Sequence, residues 1–348
     1  MNAEFTNIVK AAITRPIDRE EALYLFEHSQ SDEAAEELFK AARLVREQEY
    51  GNVFMASGGI ATVLECNLKP LCAYCPYWRE KGKKPLSVEE ILKAVGYLFK
   101  YGVHDFHLSG GTTLGSEGKD ILEIVRSIYQ AGFTKARIDV NCGAAMSLAT
   151  LREIKGYGVK MVRSVFETLN PAVFSAVKPG DNLAEKEAFA WRIGEAGLNL
   201  GTGILAGLSP NESKYRDYTD FLFKIKEFPH LTSLYVSKFV PFEGIALKGV
   251  EPCCAQEAAR VIAVARLVLR RVDITGAQGW GGERGITPFW AGGGNSALVI
   301  HINRIPAYVQ RLENDPSVTY EGDMEFRNRL EELQSYYAAQ GARLERLG

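Results

Sequence analysis

The chain is poor in cysteine, with six in 348 residues, too few to staple a disulfide framework. It also lacks an excess of either charge. With 41 basic residues against 43 acidic ones it offers no extended positive field to a phosphate backbone, so nucleic acid is not an expected partner. An uninterrupted apolar span is missing as well: the charge-free stretch 285–303 contains Pro288, three consecutive glycines and Asn295, so no membrane association is expected. The opening residues show no basic segment followed by an apolar run and a small-residue cleavage site, so no secretory signal is read and a cytoplasmic location is expected. What remains is ordinary globular composition, 46% hydrophobic and 24% charged, which excludes disordered, collagenous and coiled-coil classes.

Apolar periodicity divides the chain. Residues 18–28 and 31–49 carry helical spacing, with Ser31 or Asp32 suited to an N-cap. From Asn52 onward, short β-branched runs alternate with amphipathic helices, as in repeated βα units around a parallel sheet. Eight strands are predicted, at 54–64, 104–109, 136–140, 160–166, 198–206, 233–239, 272–275 and 297–302. Ser87 and Glu90 form a capping box before a helix with an apolar stripe of Ile91, Leu92, Val95, Leu98 and Phe99. These units predict a (β/α)8 barrel, complete or partly open, over residues 52–321, with an N-terminal helical extension over 1–51 and a charged C-terminal helix over 322–348. In such a barrel the chemistry belongs at the C-terminal ends of the strands. Residues 276–282 and the glycine run 292–294 are expected to shape the substrate end.

The cysteines are not scattered. Cys66, Cys72 and Cys75 follow the first strand on a loop that also holds Lys69, Pro70, Pro76 and Arg79, the composition of an exposed turn. Three thiolates on one loop can each ligate a different iron of a [4Fe–4S] cube and leave the fourth iron open. A structural zinc ion would instead need a fourth ligand, from Cys142, His104 or His107. Cys253 and Cys254 read as ordinary residues before a helix.

On this triplet, with Tyr74 just before the third cysteine, and on the βα pattern from about Asn52 to Asn303, the chain resembles the radical S-adenosylmethionine (SAM) superfamily. It is most similar to the group containing biotin synthase, the maturase HydE and methylornithine synthase. The gap between the first two cysteines is five residues where the superfamily usually has three. That longer loop resembles the radical SAM proteins associated with the guanylylpyridinol cofactor of [Fe]-hydrogenase.

The resemblance implies a [4Fe–4S] cluster, SAM, a low-potential electron donor and a small-molecule substrate. It implies reductive cleavage of SAM to methionine and a 5′-deoxyadenosyl radical. It also assigns the SAM site: Ser109, Gly110, Gly111 and Thr112 toward the ammonium, with Thr112 standing where relatives often carry glutamate. Glu167 would meet the amino or ribose groups, Lys186 or Arg192 the carboxylate, and Ile204, Leu205, Phe239 and Pro241 the adenine. Asp139, Asn141 and Cys142 at the third strand end, with Tyr235 and Lys238 in the sixth, are the expected substrate residues. No second cysteine triplet is present, so one cluster is expected and sulfur insertion from a sacrificial cluster is disfavoured. Another radical SAM reaction and a zinc-stabilised scaffold are the alternatives.

Overall fold

The computed structural model describes residues 3–80, 82–276, 292–305, 311 and 314–346. All eight predicted segments are strands: β1 (Val53–Ala61), β2 (Asp105–Ser109), β3 (Arg137–Asn141), β4 (Val159–Arg163), β5 (Asn199–Ala206), β6 (Leu231–Lys238), β7 (Asp273–Gly276) and β8 (Ser296–Arg304). They pair in parallel in the order β7-β6-β5-β4-β3-β2-β1-β8. The helices α1 (Ala3–Ala12), α2 (Arg19–His28) and α3 (Asp32–Tyr50) precede β1. The crossovers carry α4 (Val88–Lys100), α5 (Lys119–Gln130), α6 (Leu148–Ile154), α7 (Pro171–Val177), α8 (Leu183–Glu195), α9 (Lys214–Ile225) and α10 (Ala255–Leu269). Helix starts fall where short polar side chains can take the free N–H groups of the first turn. Asp18 with Glu21 and Ser87 with Glu90 form complete capping boxes, and Ser31 caps α3.

The cylinder is partly open, and β8 shows why. At its N-terminal end it reaches β7 through Asn295, whose N–H donates to the Ile274 carbonyl (3.1 Å) and whose side-chain oxygen accepts from the Ile274 N–H (2.8 Å). The buried Arg266 ties this corner together by donating to the carbonyls of Gly293 (2.9 Å) and Val272 (3.0 Å) and to the Asn295 side chain. Higher up, the same edge of β8 pairs antiparallel with β10 (Met324–Asn328), which pairs in turn with β9 (Val318–Glu321).

Two expectations are corrected here. Residues 322–348 are not one helix: β10 is followed by α11 (Leu330–Ala339) and by β11 (Arg343–Arg346), which pairs in parallel with the start of β1. Unpaired backbone groups on β8 and β1 need partners, and that demand comes from distant strands rather than from the local charge pattern. The glycines 292–294 do not lie at the substrate end. They are buried just before β8 at the closed end, where a Cβ on Gly293 would press on the Ala42 carbonyl of α3 at 2.7 Å. Residues 277–282 lie outside the described residues.

Strand alternation separates two environments. Phe106, Leu108, Ile138, Val140, Val162, Leu200, Leu234, Val236, Ile300 and Ile302 are buried between sheet and helices. The alternate positions His107, Ser109, Asn141, Leu205, Tyr235, Ser237 and His301 face the lumen and are only half-buried. The lumen therefore contains accessible polar space.

Candidate active site

The cysteine loop leaves β1 at Thr62, a β-branched residue held at φ +61°, a conformation of that kind being a genuine outlier. Thr62 is kept there by contacts on each side: its carbonyl accepts from Leu86 N–H, and its hydroxyl oxygen accepts from Arg304 N–H. The loop then runs between neighbouring turns. Gly111 N–H donates to Leu64 O, Asn67 N–H donates to Thr112 O, and Ala73 N–H donates to Val177 O at the end of α7. Glycines make the approach possible. A Cβ on Gly111 would stand 2.5 Å from the Cα, Cβ and N of Cys66, and one on Gly180 would stand 2.2 Å from the Pro70 carbonyl. Gly110 is similarly closed by Leu64. Their missing side chains thus admit the cysteine loop itself, where the sequence reading had reserved that space for a ligand's ammonium.

The three thiols are half-buried and unbridged. Burial raises the Cys72 thiol above its ordinary value and pushes Cys75 up to about 11; Cys75 feels both other thiols of the triplet and Cys72 feels Cys66. The three thiols are thus near enough to interact electrostatically. Arg79 donates to the carbonyls of Cys75 (2.8 Å) and Cys72, fixing the turn between them. The fourth ligands a zinc ion would require are elsewhere. Cys142 is buried behind the mouth with its thiol toward the Leu108 carbonyl, His104 packs on Phe99, and the His107 ring lies over Gly59 deeper in the lumen. Among the described residues no three His, Cys, Asp or Glu side chains converge on a single point. A cube does not need such convergence, because each thiolate meets a different iron.

Beside the thiols stands Glu167. It adopts φ +67°, in the left-handed region that costs a non-glycine residue about 1–2 kcal/mol. Its N–H donates to Gly203 O (2.9 Å) and its carbonyl accepts from Leu205 N–H (3.0 Å), so β5 holds it in place. Tyr74 donates its hydroxyl to Glu167 Oε1 at 3.4 Å. Burial raises the Glu167 carboxyl, and Lys178, Lys186 and Tyr74 work against that rise. Lys186 is 3% exposed and lies 3.4 Å from Asp181, which Lys178 also meets at 3.2 Å. Burial first, and then Lys178, push Lys186 down to about 8, while Asp181 and Cys72 pull it up. Two lysines with one carboxylate thus place positive charge beside Cys72 and Glu167. Lys178 and Asp181 were missed in the sequence, although the Pro179-Gly180 turn between them was a usable signal.

The other expected residues divide. Ser109 and Asn141 end neighbouring strands and meet at 3.5 Å. Thr112 is buried against Gly143, where a Cβ would lie 2.0 Å from its hydroxyl oxygen. Leu205 faces the lumen, but Ile204 and Phe239 are turned into the core, so their side chains do not line a ligand slot. Pro241 is half-buried in the loop after β6. Arg192 donates to the Met146 carbonyl (3.3 Å) rather than joining the two lysines. Cys142 lies beside Leu64, Asp120 and Met146, and burial raises its thiol strongly.

Asp139 and Tyr235 do face the lumen. Asp139 receives a hydrogen bond from Arg163 (3.1 Å), and Arg163 also donates to Ser233 (3.2 Å). Arg163 and His301 were not singled out from the sequence, and His107 only as a possible zinc ligand, since single polar residues in strands give no local signal.

No helix among the described residues is long and apolar enough to cross a membrane. Residues 60–222 match the family model described as the radical SAM superfamily. An uncharacterised protein of Methanocaldococcus jannaschii is 27% identical over 265 residues, covering 74% of this chain and 68% of that protein. Biotin synthase of Campylobacter hominis is 27% identical over 274 residues, covering 75% of this chain and 81% of the relative. In fold, the crystal structure of methylornithine synthase (PylB) aligns with a TM-score of 0.78 at 19% identity over 97% of each chain. The maturase HydG of Carboxydothermus hydrogenoformans gives the same score and identity, over 97% of this chain and 78% of its own. The matched residues, 163 of the 348, begin in β1 and include all three cysteines, Glu167 and both lysines; over that part the chain is similar to the radical SAM superfamily.

Proposed function

We propose that the chain is an enzyme that cleaves SAM reductively at a cluster held by Cys66, Cys72 and Cys75, and that it acts in forming the pyridinol part of the [Fe]-hydrogenase cofactor, as an HmdB (HcgA)-type protein. The observation that carries the enzymatic part is the set of three neighbouring thiols on one loop beside Glu167 and the Lys178–Lys186 pair. The narrower role is supported by the five-residue gap between Cys66 and Cys72.

When bound, the cluster and SAM supply a one-electron cleavage that yields a 5′-deoxyadenosyl radical. The chain's residues position. Glu167, fixed by β5 and by Tyr74, accepts hydrogen bonds from amino or ribose groups. Lys186, with Lys178 beside it, offers the charge that a methionyl carboxylate needs. Leu205 gives an apolar surface at the lumen wall, and Pro241 borders the mouth after β6. The surrounding sheet holds a substrate hydrogen near the reacting carbon, where orientation sets the rate. Asp139, Asn141 and Tyr235 are the substrate residues in this reading; Cys142 is not retained, since its thiol faces away. A small-molecule substrate and a low-potential electron donor are its partners.

The test is anaerobic reconstitution, reduction and addition of SAM, with mass spectrometry for 5′-deoxyadenosine. Formation by the wild type and loss in Cys72→Ala is the expected result; no product from a chain carrying about four irons would refute the enzymatic reading. Complementation of a cofactor-deficient strain tests the narrower role.

A further inference from the structure

Two buried polar atoms on the lumen face of β8 and β10 lack partners. Asn303, 7% exposed near the top of β8, has an Oδ1 that accepts no hydrogen bond among the described residues, and the Nε of Arg327 on β10 donates none. Such atoms are rare in native interiors and call for a ligand or ordered water.

Strand register brings the two together. β10 runs antiparallel to β8, with Glu325 opposite Asn303 and Arg327 opposite His301. These four residues occupy neighbouring positions on two adjacent strands, and a diagonal pair such as Asn303 and Arg327 is about 7–8 Å apart, within reach of long side chains. Arg327 shortens that distance itself. Its Nη2 lies 3.1 Å from Glu325 Oε1, so the guanidinium is turned toward the residue that faces Asn303. Tyr77 marks where this corner lies, because it feels Glu325, Arg327 and the Cys75 thiol together. The corner therefore borders the cysteine loop.

The chemistry left over selects one kind of ligand. Glu325 answers the charge of Arg327, and its second oxygen accepts from the Tyr320 hydroxyl at 3.2 Å. Burial holds His301 at about 4, so its ring is neutral near pH 7. What remains is one neutral acceptor and one N–H donor whose charge is already balanced. A carboxylate would offer Asn303 no donor, and an ammonium would offer Arg327 no acceptor. An amide edge, with N–H beside C=O, satisfies both at once.

Building on the proposed enzymatic reading, we infer that Asn303 and Arg327 form a subsite for the amide edge of an uncharged substrate, as in a carboxamide, a lactam or a pyrimidine. The ligand N–H donates to Asn303 Oδ1, and its carbonyl accepts from Arg327 Nε. Glu325 positions Arg327 by holding its outer nitrogen.

Saturation-transfer NMR on the full chain, without reduction, tests the subsite independently of SAM cleavage. The probes are uracil and 2-piperidone, with 1,3-dimethyluracil and 1-methyl-2-piperidone as comparisons that lack the N–H. Transfer to at least one N–H probe is expected, with affinity at least tenfold weaker for its methylated form and at least tenfold weaker in Asn303→Leu. That variant removes an acceptor without a partner, so it strands no other group and its Tm should not fall. Because Arg327→Met alone would leave Glu325 unpaired, it is combined with Glu325→Gln, with the same loss of affinity expected. No binding of either N–H probe, equal affinity of the methylated forms, or unchanged affinity in either folded variant would overturn the inference and assign the corner to water. Absence of 5′-deoxyadenosine from the reduced enzyme would count against the proposed reaction, while the NMR result still judges the subsite.

Discussion

Gly111→Ala is the sharpest test of how the cysteine loop is held. The added methyl would lie 2.5 Å from three atoms of Cys66, whereas carbon contacts are favourable at about 3.5–4.0 Å. Cys66 or the β2 turn must therefore retreat by about 1 Å. Both are backbone segments tied by Gly111 N–H to Leu64 O and Asn67 N–H to Thr112 O, so neither can yield by a side-chain rotation. Overpacking of this kind costs about 1–3 kcal/mol. With unfolding entropy of about 2.1 cal/mol/K per residue over 348 residues, that corresponds to a fall of about 1.5–4 °C in Tm. The effect on metal should be larger than the effect on folding, because ligand distances tolerate only about 0.2 Å. Anaerobic reconstitution followed by iron and sulfide analysis and a calorimetric scan measures both. Gly249→Ala is the control, since a Cβ there meets nothing within 4 Å. Full iron content in Gly111→Ala with an unchanged Tm would show that the loop is not pinned by this contact.

Cys75→Ala should remove cluster uptake while leaving the chain folded, measured by iron content and circular dichroism. Glu167→Gln and Lys186→Met should each weaken SAM binding about tenfold, near 1.4 kcal/mol, with iron retained; equilibrium dialysis of the reconstituted protein reads this, and unchanged affinity would move the SAM contacts elsewhere. Acid should destabilise the apoprotein through the lumen histidines. Their folded pKa values, about 3 and about 4, lie below the unfolded value of 6.5, so the unfolded chain binds more protons across that window and stability falls as pH drops from 6.5. At pH 5 the loss is about 2 kcal/mol for each ring. The double variant His107→Gln with His301→Gln should flatten the urea midpoint between pH 7 and 5, and an unchanged slope would show that the rings are not held neutral.

The strands were legible because their helix-facing positions, such as Phe106, Leu108, Ile138 and Val140, are apolar and buried and alternate with the lumen positions. The cysteine loop was legible because its three thiols come from ten consecutive residues. Neither condition holds for β10 and β11: they exist because β8 and β1 have edges to satisfy, which is decided by strands far away in sequence. The same distinction explains the site. Ile204 and Leu205 look alike in the sequence, yet pleating turns Leu205 to the lumen and Ile204 to the helices, so position within the alternation decides which can touch a ligand. His107 illustrates the point most fully. In the sequence it could only be offered as a zinc ligand, and the register that sets it beside Gly59 shows where its ring finds room. Residues that bind through pairing across strands leave no mark at fixed spacing, whereas those that bind from one loop do. The cysteine loop was therefore open to sequence reasoning, and the lumen positions became open only once register was known.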